Sequence, residues 1–162
     1  FKAPDVSDKY ANIMFVMILG GMTMSRFFRN IREKQSLCYY CSCLSDRAKR
    51  TLVANAGVEP QNVKRTQDAI MREFNEIIEN GVTEEELEQA KLEALNDITS
   101  LYDSVGSIGG WYLGQVTDGE FMSPEEYAEK IKAVTADRVR AAGRLYKLDT
   151  VFTLCPEEVS ND

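Results

Sequence analysis

The stretch Gly20-Gly21-Met22-Thr23-Met24-Ser25-Arg26-Phe27-Phe28-Arg29-Asn30-Ile31-Arg32-Glu33-Lys34-Gln35-Ser36-Leu37-Cys38-Tyr39-Tyr40-Cys41-Ser42-Cys43 sets the architecture of this chain. Paired glycines stop one helix, because only a residue without Cβ turns easily out of helical geometry. Thr23 or Ser25 then opens a second helix that buries Phe27, Phe28 and Ile31 and turns Arg26, Arg29, Arg32 and Lys34 outward. From Leu37 the residues change to strand formers, which predicts a strand over 37–45. A basic helix therefore runs straight into a strand, and the Arg32 guanidinium and Tyr39 hydroxyl fall near one helix–strand junction. Composition leaves that junction open to two readings, surface charge or a functional site.

Upstream, residues 1–7 form a lead-in, and Ser7 or Asp8 caps a helix with apolar positions Tyr10, Ile13, Met14, Met17 and Ile18. Downstream, a short polar connection over 46–49 predicts a hairpin to a second strand over 51–58. Leu52, Ala54, Ala56 and Val58 share one face of that strand. Val63, Thr66, Ile70, Phe74 and Ile77 then mark a helix that stops at Asn80-Gly81. Thr83-Glu84-Glu85-Glu86 and Ser123-Pro124-Glu125-Glu126 each have the form of a capping box opening a further helix. A last helix runs from Thr135 to about Tyr146. Residues 149–155, with Thr150, Phe152 and Leu154 alternating against Val151, Thr153 and Cys155, predict a closing strand, and the tail over 157–162 is expected to fray.

The order α-α-β-β-α-α-α-α-β predicts an α/β (α+β) fold, a two-layer sandwich of a mostly antiparallel sheet packed against helices. Three strands are few for that many helices. A further strand upstream of Phe1 is therefore expected, which would make residues 1–162 a single domain cut from a longer polypeptide and lacking its first strand. A domain of this size buries roughly 70% of the surface its unfolded chain exposes, so it needs neither metal nor disulfide to fold.

Composition narrows the function. The 162 residues include no histidine, which removes Ser–His and Cys–His pairs, a histidine base and any His-ligated zinc site. Nineteen Lys and Arg against 26 Asp and Glu give a net charge of −7, without the basic field that nucleic-acid binding uses. The longest apolar run, 13–19, is far short of the roughly 20 residues of a membrane span, and the opening residues do not read as a signal peptide. Nucleic acid and membrane are thus not expected partners.

Cys38, Cys41 and Cys43 lie in the first strand and Cys155 near the end. In an extended strand Cys38 and Cys41 would stand about 10 Å apart on opposite faces, too far for a disulfide. Buried free thiols are expected, and they suit a reducing cytoplasm. A redox or zinc site at these cysteines is the weaker alternative. Gly106, Gly109, Gly110 and Gly114 lack the spacing of a nucleotide loop and are read as close helix packing or a helix break. The acidic run 84–88 is read as a solvated helix start, and Trp111 and Tyr112 as core or satellite packing.

The stretch quoted first also resembles a pattern of the pitrilysin/insulinase family of zinc metallopeptidases, G-G-(G)-M-S-S-R-L-F-x-x-(I/L/V)-R-E-K-x-x-L-(A/G)-Y. Gly81-Val82-Thr83-Glu84-Glu85-Glu86-Leu87-Glu88-Gln89-Ala90-Lys91 is a second family-like block. In that family two similar domains face each other across a chamber, and one carries a zinc motif, H-x-x-E-H. With no histidine, this chain resembles the other, non-catalytic, C-terminal-type domain. The resemblance implies that Gly20, Gly21, Arg32 and Tyr39 meet peptide substrate. Arg32 would clamp main chain or carboxylates, and Tyr39 would donate to the scissile carbonyl, both as auxiliary catalytic residues. It implies no metal in this chain, zinc in a pitrilysin-type catalytic domain in cis or trans, and no catalysis by this chain alone. Cys38 in place of Ala or Gly, and Met22-Thr23-Met24 in place of a smaller turn, fit a divergent, catalytically silent bacterial homologue. A pure scaffold that assembles with an active subunit is the alternative.

Overall fold

A computed structural model describes residues 1–116 and 121–155. Helix α1 spans Lys9–Val16, capped by Asp8, whose carboxylate accepts the Ala11 amide at 3.1 Å. It widens into a π-helical turn, Met17–Gly21, closed by the Met22 amide donating to the Met17 carbonyl. The second predicted helix is π-helical too, over Phe27–Glu33. Strands β1 (Tyr40–Asp46) and β2 (Thr51–Gly57) form an antiparallel hairpin, from Tyr40 opposite Gly57 to Asp46 opposite Thr51. Helices α2 (Val63–Asn80), α3 (Glu84–Ser100), α4 (Val105–Gln115), α5 (Pro124–Lys132) and α6 (Ala136–Arg144) follow. Both capping boxes are present, Thr83 with Glu86 and Ser123 with Glu126.

The core lies between the inner face of the hairpin and the helices, as an α+β sandwich requires. Leu52 of β2 and Cys41 and Cys43 of β1 point inward with the fully buried Phe15, Ile18 and Phe27. Gly20 is a close approach: a Cβ there would sit 2.4 Å from the Phe27 ring and 2.8 Å from the Cys43 backbone nitrogen. Phe15 packs edge-on to Phe74 of α2, which in turn stacks on Phe1 at 4.5 Å between centroids. Such ring pairs add directional preference to a burial that by itself has none.

Several expectations need correction. Residues 149–155 are not a strand, and Val151, Phe152 and Leu154 are exposed. The ladder stops at Lys147, which pairs with Lys2, itself paired on its other side with Thr51 of β2. A strand needs a neighbour along its length to satisfy its backbone groups, and 149–155 has none among the described residues. The last helix ends at Arg144 rather than Tyr146, whose ring turns into the core and whose hydroxyl donates to Asn12 Oδ1 at 2.8 Å. The glycines at 106–114 neither break α4 nor pack closely: a Cβ at Gly109, Gly110 or Gly114 would meet nothing within 4 Å. The tail over 157–162 lies outside the described residues.

Two charged groups differ from their sequence reading. Arg26 is not on a solvated basic face and Glu86 is not on a solvated acidic one. The two are buried against each other, with Arg26 Nε and Nη2 donating to the two Glu86 oxygens at 2.8 and 2.7 Å. Arg29 adds a bond to Glu86 Oε1 at 2.8 Å, and Arg26 also reaches the Gly81 carbonyl at 3.1 Å. Burial raises the Glu86 carboxyl, but Arg26, the Thr83 amide and Arg29 together outweigh it and hold it below its usual range. The pair ties the π-helical segment to the start of α3. Trp111, as expected, packs as a satellite, edge-on to Tyr127 with its Nε1 donating to the Met122 carbonyl, whereas Tyr112, read in the same way, is exposed.

Candidate functional site

The π-helical segment ends through Ser36, at φ 49°, with the Ser36 amide on the Arg32 carbonyl and the Leu37 amide on the Ile31 carbonyl. These bonds satisfy the orphan carbonyls of a helix end and reverse the chain into β1. The Tyr39 amide then donates to the Gly57 carbonyl at 2.8 Å, one residue ahead of the strand proper. This corner is what brings Arg32 and Tyr39 together. Both line one open depression of about 350 Å³, with Glu33, Ser36, Cys38 and Glu59 among its other walls.

The Arg32 guanidinium lies over the Phe28 ring, 5.0 Å from its centroid, an arrangement that steadies a cation without consuming its N–H donors on an acceptor. Tyr39 is 68% exposed. Its hydroxyl donates to Glu59 Oε1 at 3.1 Å, and Gln61 Nε2 donates to the other Glu59 oxygen. The Glu59 carboxylate, by that bond first and by its charge second, raises the Tyr39 phenol above its ordinary value. A neutral phenol is the form that can donate.

The two glycines expected beside them are elsewhere. Gly20 is buried against β1 and Gly21 sits at the end of the π-helical turn, and neither lines the depression. Glu59 was not legible as a site residue. It lies beyond the end of β2, and only the register, which sets Tyr40 opposite Gly57, carries it back across from the residues before β1. Given that register, an acid two residues past the strand is the signal that finds it.

The cysteines are free, but not all are buried as expected: Cys41 and Cys43 are buried, Cys38 is half-buried and Cys155 is exposed. Burial raises Cys41 far up and Cys43 to about 12, and Cys43 donates to the Val16 carbonyl at 3.3 Å. Cys38 precedes β1, so strand alternation does not set it on the face opposite Cys41. The two thiols come close enough to interact, and burial raises Cys38 as well. Thiols raised in this way are poor nucleophiles and poor metal ligands. Among the described residues no group of three or more His, Cys, Asp or Glu is placed to hold a metal ion. Among the same residues no helix is long and apolar enough to cross a membrane.

Fold and site together define an α+β domain that presents an exposed Arg/Tyr pair and has no histidine. The chain belongs to a named family of such domains: the peptidase M16 inactive domain matches residues 1–93. Among curated relatives, it is 26% identical over 141 residues to the probable inactive metalloprotease YmfF of Bacillus subtilis, covering 87% of this chain and 33% of that protein. It is 29% identical over 137 residues to the uncharacterized zinc protease SCO5738 of Streptomyces coelicolor, covering 78% of this chain and 28% of that one. The chain thus spans about a third of the length of these relatives. Among solved structures, a conserved protein from Enterococcus faecalis V583 superposes with a TM-score of 0.77 at 27% identity, over 85% of this chain and 33% of that one. A peptidase M16 inactive domain from Pseudomonas fluorescens matches in fold, with a TM-score of 0.77 at 24% identity over 90% of this chain and 36% of that one. The chain is a non-catalytic domain of the zinc-protease-like class, as the resemblance of its Gly20–Tyr39 block implied.

Proposed function

We propose that this domain is one wall of a peptide-binding chamber in a larger zinc peptidase or peptidase-like protein. It supplies Arg32 and Tyr39 to the peptide, while a pitrilysin-type catalytic domain, in the same polypeptide or in a partner, holds zinc. The observation that carries this reading is that Arg32 and Tyr39, seven residues apart, both border one open depression and are both exposed, the Tyr39 hydroxyl held there by Glu59.

Each residue has a distinct task in it. Arg32 offers fixed donors to main-chain carbonyls or to a carboxylate of the peptide. Tyr39 offers a hydroxyl proton to a carbonyl oxygen that gains negative charge as the bond breaks. To do so it must exchange Glu59 for the substrate oxygen, and a donor aimed at developing charge is worth more in the transition state than in the ground state. The buried, free cysteines favour a reducing compartment such as the cytoplasm.

The test is recovery of the full-length parent protein from its own cell extract, with bound proteins identified and peptide cleavage measured. A partner or parent sequence carrying H-x-x-E-H and metal-dependent cleavage are expected. In that active assembly Tyr39→Phe should lower kcat by roughly 10²–10³-fold with little change in KM. Unchanged rates for Tyr39→Phe and Arg32→Ala would instead make the domain a scaffold.

A further inference from the structure

We propose that the open cavity bounded by α1, the β1–β2 turn, α4 and the start of α5 binds a small carboxylic acid with an aryl or alkyl body. Its volume is about 440 Å³, within the range of small-molecule sites, and no residue lines both it and the Arg32–Tyr39 depression. The glycines of α4, which neither break that helix nor pack closely, gain a reason from it. Gly110 and Gly114 lie four apart, hence on one face of the helix, and both line the cavity. A Cβ at either would meet nothing within 4 Å. A larger residue at these positions would grow into the space that the glycines keep open.

The walls are held in place by bonds among themselves. Trp111 stands edge-on to Tyr127, with ring centroids 5.0 Å apart. Gln115 brackets Met122: its Nε2 donates to the Met122 carbonyl at 3.1 Å, and its Oε1 accepts the Met122 amide at 2.8 Å. With Ile13 of α1, these side chains give the cavity an apolar lining for the body of a ligand.

The polar groups are few, and they point to an anionic acceptor. Asn12 is 2% exposed and lines the cavity. Its Nδ2 gives one proton to Ser45 Oγ at 3.1 Å, and its Oδ1 accepts the Tyr146 hydroxyl. The second Nδ2 proton has no acceptor among the described residues. A buried N–H left without a partner is costly, and a carboxylate oxygen is a strong acceptor for it. Lys9 and Arg47 stand on the same lining, and among the described residues no acid does, in a chain of net charge −7. They enter as positive charge beside the cavity rather than as open donors, since both have other interactions in the fold. Charge thus selects an acid, and the apolar walls select its body.

The test uses the full-length parent, with phenylbutyrate as the acid and phenylbutanol as its neutral counterpart. Calorimetric titration should show saturable binding of one phenylbutyrate per chain. The nuclear magnetic resonance signal of the Trp111 indole N–H, assigned by its loss in Trp111→Phe, should shift with the same saturation. Gly110→Leu places a side chain in the cavity without a clash, so it should melt no earlier than the parent yet bind at least roughly tenfold more weakly. Arg47→Met should weaken phenylbutyrate about threefold and leave phenylbutanol unchanged. No saturable binding, binding that leaves the Trp111 signal unmoved, or parental affinity in Gly110→Leu would each overturn the site. Equal affinity for the alcohol and the acid would overturn the carboxylate. None of these readouts depends on whether Arg32 and Tyr39 touch peptide.

Discussion

The Tyr39 hydroxyl and the Glu59 carboxylate share one hydrogen bond of 3.1 Å across the rim of the depression that Arg32 borders. The acid keeps the phenol protonated and orients its proton, yet both groups are solvent-exposed, so the bond is easily exchanged for one to a ligand. With Glu59→Gln the carboxylate charge is gone, and Tyr39 should ionise at lower pH than in the parent. An ultraviolet titration with Tyr39→Phe as blank checks this. An unmoved Tyr39 transition would mean that the bond does not form in solution.

The Arg26–Glu86 pair predicts a large loss of stability from a small change. Glu86→Gln removes the charge that two arginines face and leaves Arg26 buried without its counter-ion. Breaking a buried pair costs about 3–5 kcal/mol, far above the usual cost of an exposed pair. Denaturant unfolding of Glu86→Gln beside Lys64→Ala, which removes an exposed pair with Asp68, should show that contrast.

The same pair sets a pH dependence. The Glu86 carboxyl is held below its unfolded value in the folded state. The stability it adds is therefore fully present above the unfolded carboxylate range and is lost as pH falls through the lower, folded value. Stability should decline on acidification with a component that Glu86→Gln removes. Parallel acid profiles for the two proteins would show that Glu86 contributes no such term.

Gly20→Ala tests whether this glycine is structural. Its Cβ would lie 2.4 Å from the Phe27 ring and 2.8 Å from a β1 backbone atom, and backbone cannot step aside cheaply. Overpacking of this kind costs about 1–3 kcal/mol. A full-length parent carrying Gly20→Ala should melt earlier yet, where folded, keep the Tyr39 titration unchanged.

Gly109→Ala should do the opposite. It is exposed in the interior of α4 with open space where a Cβ would go. Replacing a mid-helix glycine by alanine returns about 1 kcal/mol of helix propensity. Equal melting of mutant and parent would show that helix propensity at this position adds nothing to stability.

Much of this protein is written locally. The spacing of Val63, Phe74 and Ile77 defines α2, and Thr83 with Glu86 and Ser123 with Glu126 mark two helix starts. The alternation of Leu52, Ala54 and Ala56 gives the inward face of β2, and the short polar turn makes the hairpin. Helix caps, periodicity and tight turns are made by residues close in sequence, so the sequence displays them directly. The absence of histidine and the step from Arg32 to Tyr39 are legible in the same way. The sequence alone could not tell that Arg26 and Glu86, 60 residues apart, would leave their solvated faces to neutralise each other. It could not show that Glu59 would meet Tyr39, because that contact depends on the register of two strands. Nor could it show that 149–155, a strand by pattern, would be left unpaired. A strand is not a local object: its backbone bonds belong to its neighbours, and only the tertiary structure decides whether a neighbour is there.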